Sequence, residues 1–210
     1  SKHLNESTAI DVEMAFIDDE EEVMSIIEGM VAASLTAIQE KHPAELQCLD
    51  VELPSAEPPF RRIHYNEVVD ILSEHIDFKW GDDLGTDEEN LLGELLDDDF
   101  YFITKFPLEI KPFYVMPDGE HARAFDLACR GTEICSGAQR IHDVVLLEER
   151  IEALGLNIDD FAEYLKAFRY GMPPHGGFGF GIERYLMKIL ALSNVRECIL
   201  FPRDKKRLTP

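Results

Sequence analysis

One stretch near the end of the chain limits the possible folds more than any other: Gly171-Met172-Pro173-Pro174-His175-Gly176-Gly177-Phe178-Gly179-Phe180-Gly181-Ile182-Glu183-Arg184. Glycines 177, 179 and 181 alternate with Phe178, Phe180 and Ile182. A period of two is the period of a strand, so this strand has one bare face and one apolar face. Glycine weakens a strand interior unless something must lie close to the backbone. The bare face therefore reads as a flat floor for a planar ligand, with the phenylalanines in the core behind it. Beyond Gly181 the spacing of Ile182, Tyr185, Leu186, Ile189 and Leu190 predicts a helix, with Arg184 in or next to its first turn. A cation is unfavourable at that positive end unless an anion such as phosphate joins it. The plainer alternative is a buried hairpin leading to an ordinary helix, with Arg184 in a surface ion pair. The run does not supply the G-x-G-x-x-G dinucleotide pattern.

A second chemical stretch runs from Arg130 to Asp143 and holds Glu133, Ser136 and Arg140 within eight residues. A carboxylate suits Mg²⁺, which prefers oxygen ligands, and an arginine can grip a carboxylate with two parallel bonds. Strict alternation puts Ser136 and Arg140 on one face and Glu133 on the other. The three converge only if the strand bulges, and Gly137 is the expected place. The alternative is an edge strand of mixed polar residues.

The remaining chain reads as scaffold. Ile10, Val12, Met14 and Phe16 alternate with Asp11, Glu13 and Ala15, predicting a strand with one buried and one acidic face. Asp18 to Glu22 reads as the solvated start of a helix whose inner stripe is Val23, Ile27, Met30, Val31, Ser34, Leu35 and Ile38, ending at His42-Pro43. Residues 50–98 give a proline-marked loop, a short helix from Tyr65 to His75, a turn at Trp80 to Asp83, and a leucine-bearing helix that Thr86 caps. Asp97-Asp98-Asp99 reads as a solvated turn, since consecutive acids point in different directions. Strands are expected at Phe100–Phe106, Lys111–Met116 and His121–Cys129, with turn chemistry at Pro117-Asp118-Gly119. Lys111 and Arg123 are ligands or edge charges. Two helices follow, with Gly155 stopping the first, and His175 orders a turn or senses substrate charge. Clustered strands with helices in groups imply an α+β fold with a largely antiparallel sheet flanked by helices.

No stretch of about 18 apolar residues predicts a membrane span, and the first residues do not read as a signal peptide. Cys48, Cys129, Cys135 and Cys198 form no CxxC pair and read as buried free thiols in a reducing cytoplasm. The formal charge of −22, taken alone, argues against nucleic acid as a partner.

The glycine run resembles motif 3 of the class II aminoacyl-tRNA synthetases. The ending Leu200-Phe201-Pro202-Arg203-Asp204-Lys205-Lys206-Arg207-Leu208-Thr209-Pro210 resembles that of aspartyl-tRNA synthetases of the archaeal and eukaryotic type. The resemblance covers nearly the whole chain. It implies ATP, L-aspartate and tRNA as partners, Mg²⁺ as cofactor, a homodimeric longer protein and a cytoplasmic site of action. The floor would underlie the adenine, and Gly181, Ile182, Glu183 and Arg184 would bind ATP, with Arg184 on the γ-phosphate. The opening resembles the loop and second strand of motif 2, making Lys2, His3 and Leu4 ATP-binding. Lys2 stands where the family has arginine, keeping the charge without the planar fork, and Ser7 cannot supply the aromatic cover often found there. Asp11 would order the amino-acid pocket, with Glu13 a weaker candidate. Glu133 would bind ATP and Mg²⁺, Ser136 the Mg²⁺ or the substrate, and Arg140 the aspartate side chain. Arg184 and Glu133 are the expected catalytic residues. Lys205, Lys206 and Arg207 would serve the tRNA acceptor end.

By the same resemblance residues 1–210 form the C-terminal part of the catalytic domain, from the end of motif 2 to motif 3. They carry a small helical insertion near 50–98 and lack the anticodon-binding domain, motif 1 and the F-R-x-E strand of motif 2. Three alternatives stand beside aspartate–tRNA ligation. They are a relative charging asparagine, a tRNA-independent paralogue forming asparagine from ammonia, and a non-catalytic ligand-binding or regulatory module.

Overall fold

The computed structural model describes residues 4–209, so Lys2 and His3 lie outside the described residues. A six-stranded sheet is built from β1 (Ala9–Ala15), β2 (Arg61–His64), β3 (Phe100–Thr104), β6 (Ala124–Cys129), β7 (Glu133–Arg140) and β8 (His175–Gly181). Its order is β1-β8-β7-β6-β3-β2. Every pairing is antiparallel except that of β2 with β3. A two-stranded hairpin, β4 (Pro117–Asp118) with β5 (His121–Ala122), stands apart, and Gly119 at its turn has φ +66°. The helices are α1 (Glu20–Lys41), α2 (Pro43–Leu49), α3 (Tyr65–Ser73), α4 (Thr86–Leu96), α5 (Val144–Ala153), α6 (Ala162–Tyr170) and α7 (Ile182–Ile189). The α+β expectation is met.

Helix α1 covers one face of the sheet. Asp19 caps it by accepting from the Glu21 N–H at 3.0 Å. Val23, Met24, Ile27, Val31 and Leu35 are buried against Phe102, Phe125, Phe178 and Phe180, each side chain contributing about 1.5–3 kcal/mol. On the other face α3 and α4 cover one end, burying Tyr65, Val68, Leu72 and Leu92 on Tyr101, Ile103, Ala124, Ala128 and Ala138. A third cluster joins α5 and α6 through Leu147, Ile151, Leu165 and Phe168. Residues 50–98 supply helices as expected, and also β2, which extends the main sheet.

Several expectations need correction. The acidic helix start is not all solvated: Glu20 is buried and meets Lys105 at 3.2 Å, and Glu21 meets Arg62 at 3.1 Å. Gly85, not Thr86, is the N-cap of α4. Asp98 and Asp99 are held by Arg61 at 3.0 Å and Arg130 at 2.7 Å, drawn to cations on neighbouring strand ends. Lys111–Met116 is not a strand, because a 3₁₀ turn (Leu108–Ile110) precedes it and Pro112 has no N–H to donate to a ladder. Only Val115 makes a bridge there, to Arg140. The expected strand 121–129 breaks at Arg123, whose N–H turns to the Met116 carbonyl at 2.9 Å. β1 lies at the sheet edge, so its apolar face is only half covered: Val12 and Met14 pack on the core, but Ile10 is 39% and Phe16, just past the strand, 83% exposed. Cys129 and Cys135 are buried thiols, whereas Cys48 is exposed and Cys198 half-buried.

Candidate active site

The open part of the second face lies over β1, β8 and β7. Strand register lines up four residues there: Asp11 on β1, Gly179 on β8, Ser136 on β7 and Asp126 on β6. The next row on the same face is Glu13, Gly177, Ala138 and Ala124, and the row beyond that pairs Ala15, His175 and Arg140. Phe178 and Phe180 point the other way, into the core under α1. The bare face of β8 is therefore open at Gly179 and Gly181, whereas Glu13 lies over Gly177, and acids from β1 and β6 flank it.

Glu133 joins this face through a bulge. Leu127 pairs with Cys135, but Ala128 pairs with Glu133, so Ile134 is the extra residue. The extra residue reverses the alternation and brings Glu133 to the side of Ser136. The expected bulge at Gly137 is not found. Gly137 keeps regular pairing with Phe125 and Phe178, and a Cβ there would strike the Phe125 ring.

Two cavities meet at Gly179, which lines both. The first, about 190 Å³, is also lined by Leu4, Ser7, Glu133, Gly181, Glu183 and Arg184. Arg184 Nη1 donates to the Glu133 carbonyl at 3.2 Å and to its Oε1 at 3.3 Å. The second, about 400 Å³, holds Lys111, Tyr114, Ser136 and Arg140. Arg140 donates to Glu13 Oε1 from Nη2 at 3.0 Å and Nε at 3.3 Å, and lies 5.2 Å over the Tyr114 ring. Lys111 Nζ lies 3.1 Å from Asp126 Oδ2 and 3.5 Å from the Phe106 ring centre. One cavity thus presents a cation at a helix start, the other two cations near a hydroxyl.

Burial, then the nearby Asp126 charge, pushes the Glu133 carboxyl up to about 7, against the pull of Arg184. Such anionic crowding invites a cation. Asp126 Oδ1 is buried with no hydrogen-bond partner, an orphan acceptor beside Ser136 and Glu133. Asp126 is the functional candidate that the sequence reading missed. Only cross-strand register reveals its place. Among the described residues no group of three or more His, Cys, Asp or Glu forms a closed metal cage. An open pair of carboxylates with a hydroxyl still suits Mg²⁺, which takes one or two carboxylates and completes its shell with waters and substrate phosphates.

The other predicted residues divide. Gly181 and Glu183 line the first cavity. Ile182 packs against the apolar core and gives its N–H to the Thr8 carbonyl at 3.1 Å. The Glu183 carboxylate is engaged with the Thr8 N–H. His175 Nδ1 is 2.9 Å from the Pro173 carbonyl, ordering the turn.

The class II tRNA synthetases (D, K and N) match this chain over residues 1–205. The chain belongs to this family. The aspartate–tRNA(Asp/Asn) ligase of Methanopyrus kandleri is 51% identical over 211 residues, covering 100% of this chain and 49% of that protein. The aspartate–tRNA(Asp) ligase of Pyrococcus furiosus is 48% identical over 218 residues, covering 100% and 50%. Among solved structures, the asparaginyl-tRNA synthetase of Pyrococcus horikoshii superposes with a TM-score of 0.93 at 37% identity, covering 100% of this chain and 51% of that one. The chain therefore spans about half the length of the curated relatives it matches. As a class II synthetase domain it carries the family's mostly antiparallel sheet, and among the described residues no helix is long and apolar enough to cross a membrane.

Proposed function

We propose that the longer protein containing this chain is an aspartate–tRNA ligase. The reading is carried by one observation: two cavities share Gly179, one ending at Arg184 and Glu133, the other at Arg140 and Lys111. ATP fits the first and L-aspartate the second, so their reacting groups meet over the glycine. An aspartate α-carboxylate oxygen bonds to the α-phosphorus of ATP, the bond to the β-phosphate oxygen breaks, and pyrophosphate leaves. The terminal ribose of tRNA then takes the aspartyl group and AMP departs. No covalent enzyme intermediate is needed, and the protein contributes positioning and charge neutralisation.

Arg184 holds phosphate oxygens, releasing Glu133 from the pair they form here. Arg140 takes the side-chain carboxylate of aspartate, supported by Tyr114 beneath it, and Asp11 orders the substrate ammonium. Glu133 and Ser136, with Asp126 beside them, would hold Mg²⁺, which supplies positive charge against the triphosphate. Two cations in the amino-acid cavity favour a carboxylate over an amide. The chain covers about half of its relatives, which leaves room for a further part, and the motif 3 resemblance implies that residues 1–210 are the C-terminal part of the catalytic domain. The anticodon-binding domain, motif 1 with its dimer interface, and the first strand of motif 2 would lie in the preceding half. The setting is the cytoplasm, where tRNA is charged.

Aspartate-dependent ATP–pyrophosphate exchange tests this on the longer protein, with asparagine as the control. Exchange with aspartate alone is expected. Exchange with asparagine alone, or none while ATP still binds, overturns the reading.

A further inference from the structure

We infer that Glu183 is a positioning residue that locks the front wall of the nucleotide cavity, rather than a group that touches ATP. The inference rests on the proposed ATP site. Glu183 is buried at 5% exposure in the first turn of α7, together with Tyr185, Met187 and Ile189. Both of its oxygens accept from one donor, the Thr8 N–H, at 2.8 and 3.0 Å. One residue earlier, the Ile182 N–H donates to the Thr8 carbonyl at 3.1 Å. Thr8 thus has both backbone groups fixed by the first turn of α7, immediately before β1 pairs Ala9 with Gly181.

The consequence is geometric. Leu4 and Ser7, just before Thr8, form one wall of the first cavity, while Gly181, Glu183 and Arg184 form the other. The lock fixes the distance between those walls. A second brace acts on the same segment: the Asn5 N–H donates to the Arg203 carbonyl at 2.8 Å, and Arg203 pairs with Glu6 at 2.9 Å. Glu183 lines the cavity, but both of its oxygens are turned to the Thr8 N–H, so the carboxylate acts on the site by holding Thr8. A carboxylate is also a weak choice for direct contact with a triphosphate, which it repels.

The test uses the longer protein with Glu183→Ala and Glu183→Gln. Glutamine keeps one carbonyl oxygen that can accept from Thr8 but loses the charge. Amide hydrogen exchange over residues 4–10 reads the lock without any catalytic activity. Kinetics of ATP–pyrophosphate exchange then separate the substrates. Expected for Glu183→Ala is roughly tenfold or greater acceleration of amide exchange in 4–10 and a roughly tenfold rise in KM for ATP, with KM for aspartate nearly unchanged. Expected for Glu183→Gln is recovery of most of both effects. Amide exchange in 4–10 that does not change in Glu183→Ala overturns the inference. So does a glutamine variant as impaired for ATP as the alanine variant while its amides stay protected, since that pattern belongs to a carboxylate touching ATP or its cation. If the parent protein lacks aspartate-dependent exchange, the function reading fails, and the hydrogen-exchange arm still decides the lock. If Glu183→Ala does not fold, Glu183→Gln alone decides it: near-native amide protection and KM support the inference, and loss of ATP binding with intact protection refutes it.

Discussion

Gly179→Ala isolates the role of the glycine floor. A Cβ built on Gly179 would lie 3.1 Å from Asp11 Oδ1 and near nothing else within 4 Å. Asp11 is exposed and can swing aside. Alanine in extended backbone also restricts the unfolded chain, worth about 0.4–1 kcal/mol in favour of folding. Net stability should therefore change by less than about 1 kcal/mol. Ligand geometry should not be spared. A flat group resting about 3.5–4 Å above the backbone is lifted by about 1 Å or more when a methyl stands beneath it. Misplacing reacting groups by that much costs about 100-fold. Gly177→Ala supplies the contrast, since its Cβ would land on the Val12 carbonyl and 2.6 Å from Glu13 Oε2. Backbone must move there, so about 1–3 kcal/mol of stability is lost. Urea unfolding and aspartate-dependent ATP–pyrophosphate exchange on the longer protein separate the two effects. A Gly179→Ala protein with exchange within threefold of the parent would refute the floor as the shared meeting point of the two ligands.

Arg140→Ala should raise the aspartate KM about 100-fold through loss of a charge-assisted pair, with the ATP KM nearly constant. Equal effects on both substrates would remove Arg140 from the amino-acid site. Burial and Asp126 hold the Glu133 carboxyl near 7, so the protonated form is favoured in the folded chain. The resulting stability is full below the ordinary carboxylate value of 4.5 and is lost as pH rises through about 7. Mg²⁺ must displace that proton at lower pH, so its affinity, measured by calorimetry, should fall towards tenfold per pH unit from 7 to 5. In Glu133→Gln this pH dependence should vanish, and a flat profile in the parent would contradict the argument. Tyr185→Phe removes the hydroxyl 2.6 Å from Ser34 Oγ, which still donates to the Val31 carbonyl at 2.8 Å. The expected cost is about 1 kcal/mol in urea unfolding, and a loss above about 3 kcal/mol would show that the contact also orders α7.

The bare face of β8 was legible because a period of two through Phe178 and Phe180 admits one geometry, although Gly177 is bare to clear the Val12 carbonyl and Glu13 rather than to seat a ligand. What escaped the sequence depends on partners distant in the chain. Glycine is the local cue for a bulge, so Gly137 drew the expectation, yet that glycine exists to clear the Phe125 ring on the next strand. The true bulge at Ile134 has no local signal, since its cause is the register that β6 imposes on β7. Asp126 was hidden for the same reason: its orphan oxygen matters only because β7 and β8 place Ser136 and Gly179 in its row. Glu183 lines the same cavity as its neighbour Arg184, but its carboxylate takes a partner that the motif does not announce. Arg184 turns back to Glu133 across the sheet, while Glu183 reaches the Thr8 amide, a neighbour 175 positions away in sequence. Residue types and spacing announce the chemistry, but cross-strand register decides which atoms can share it.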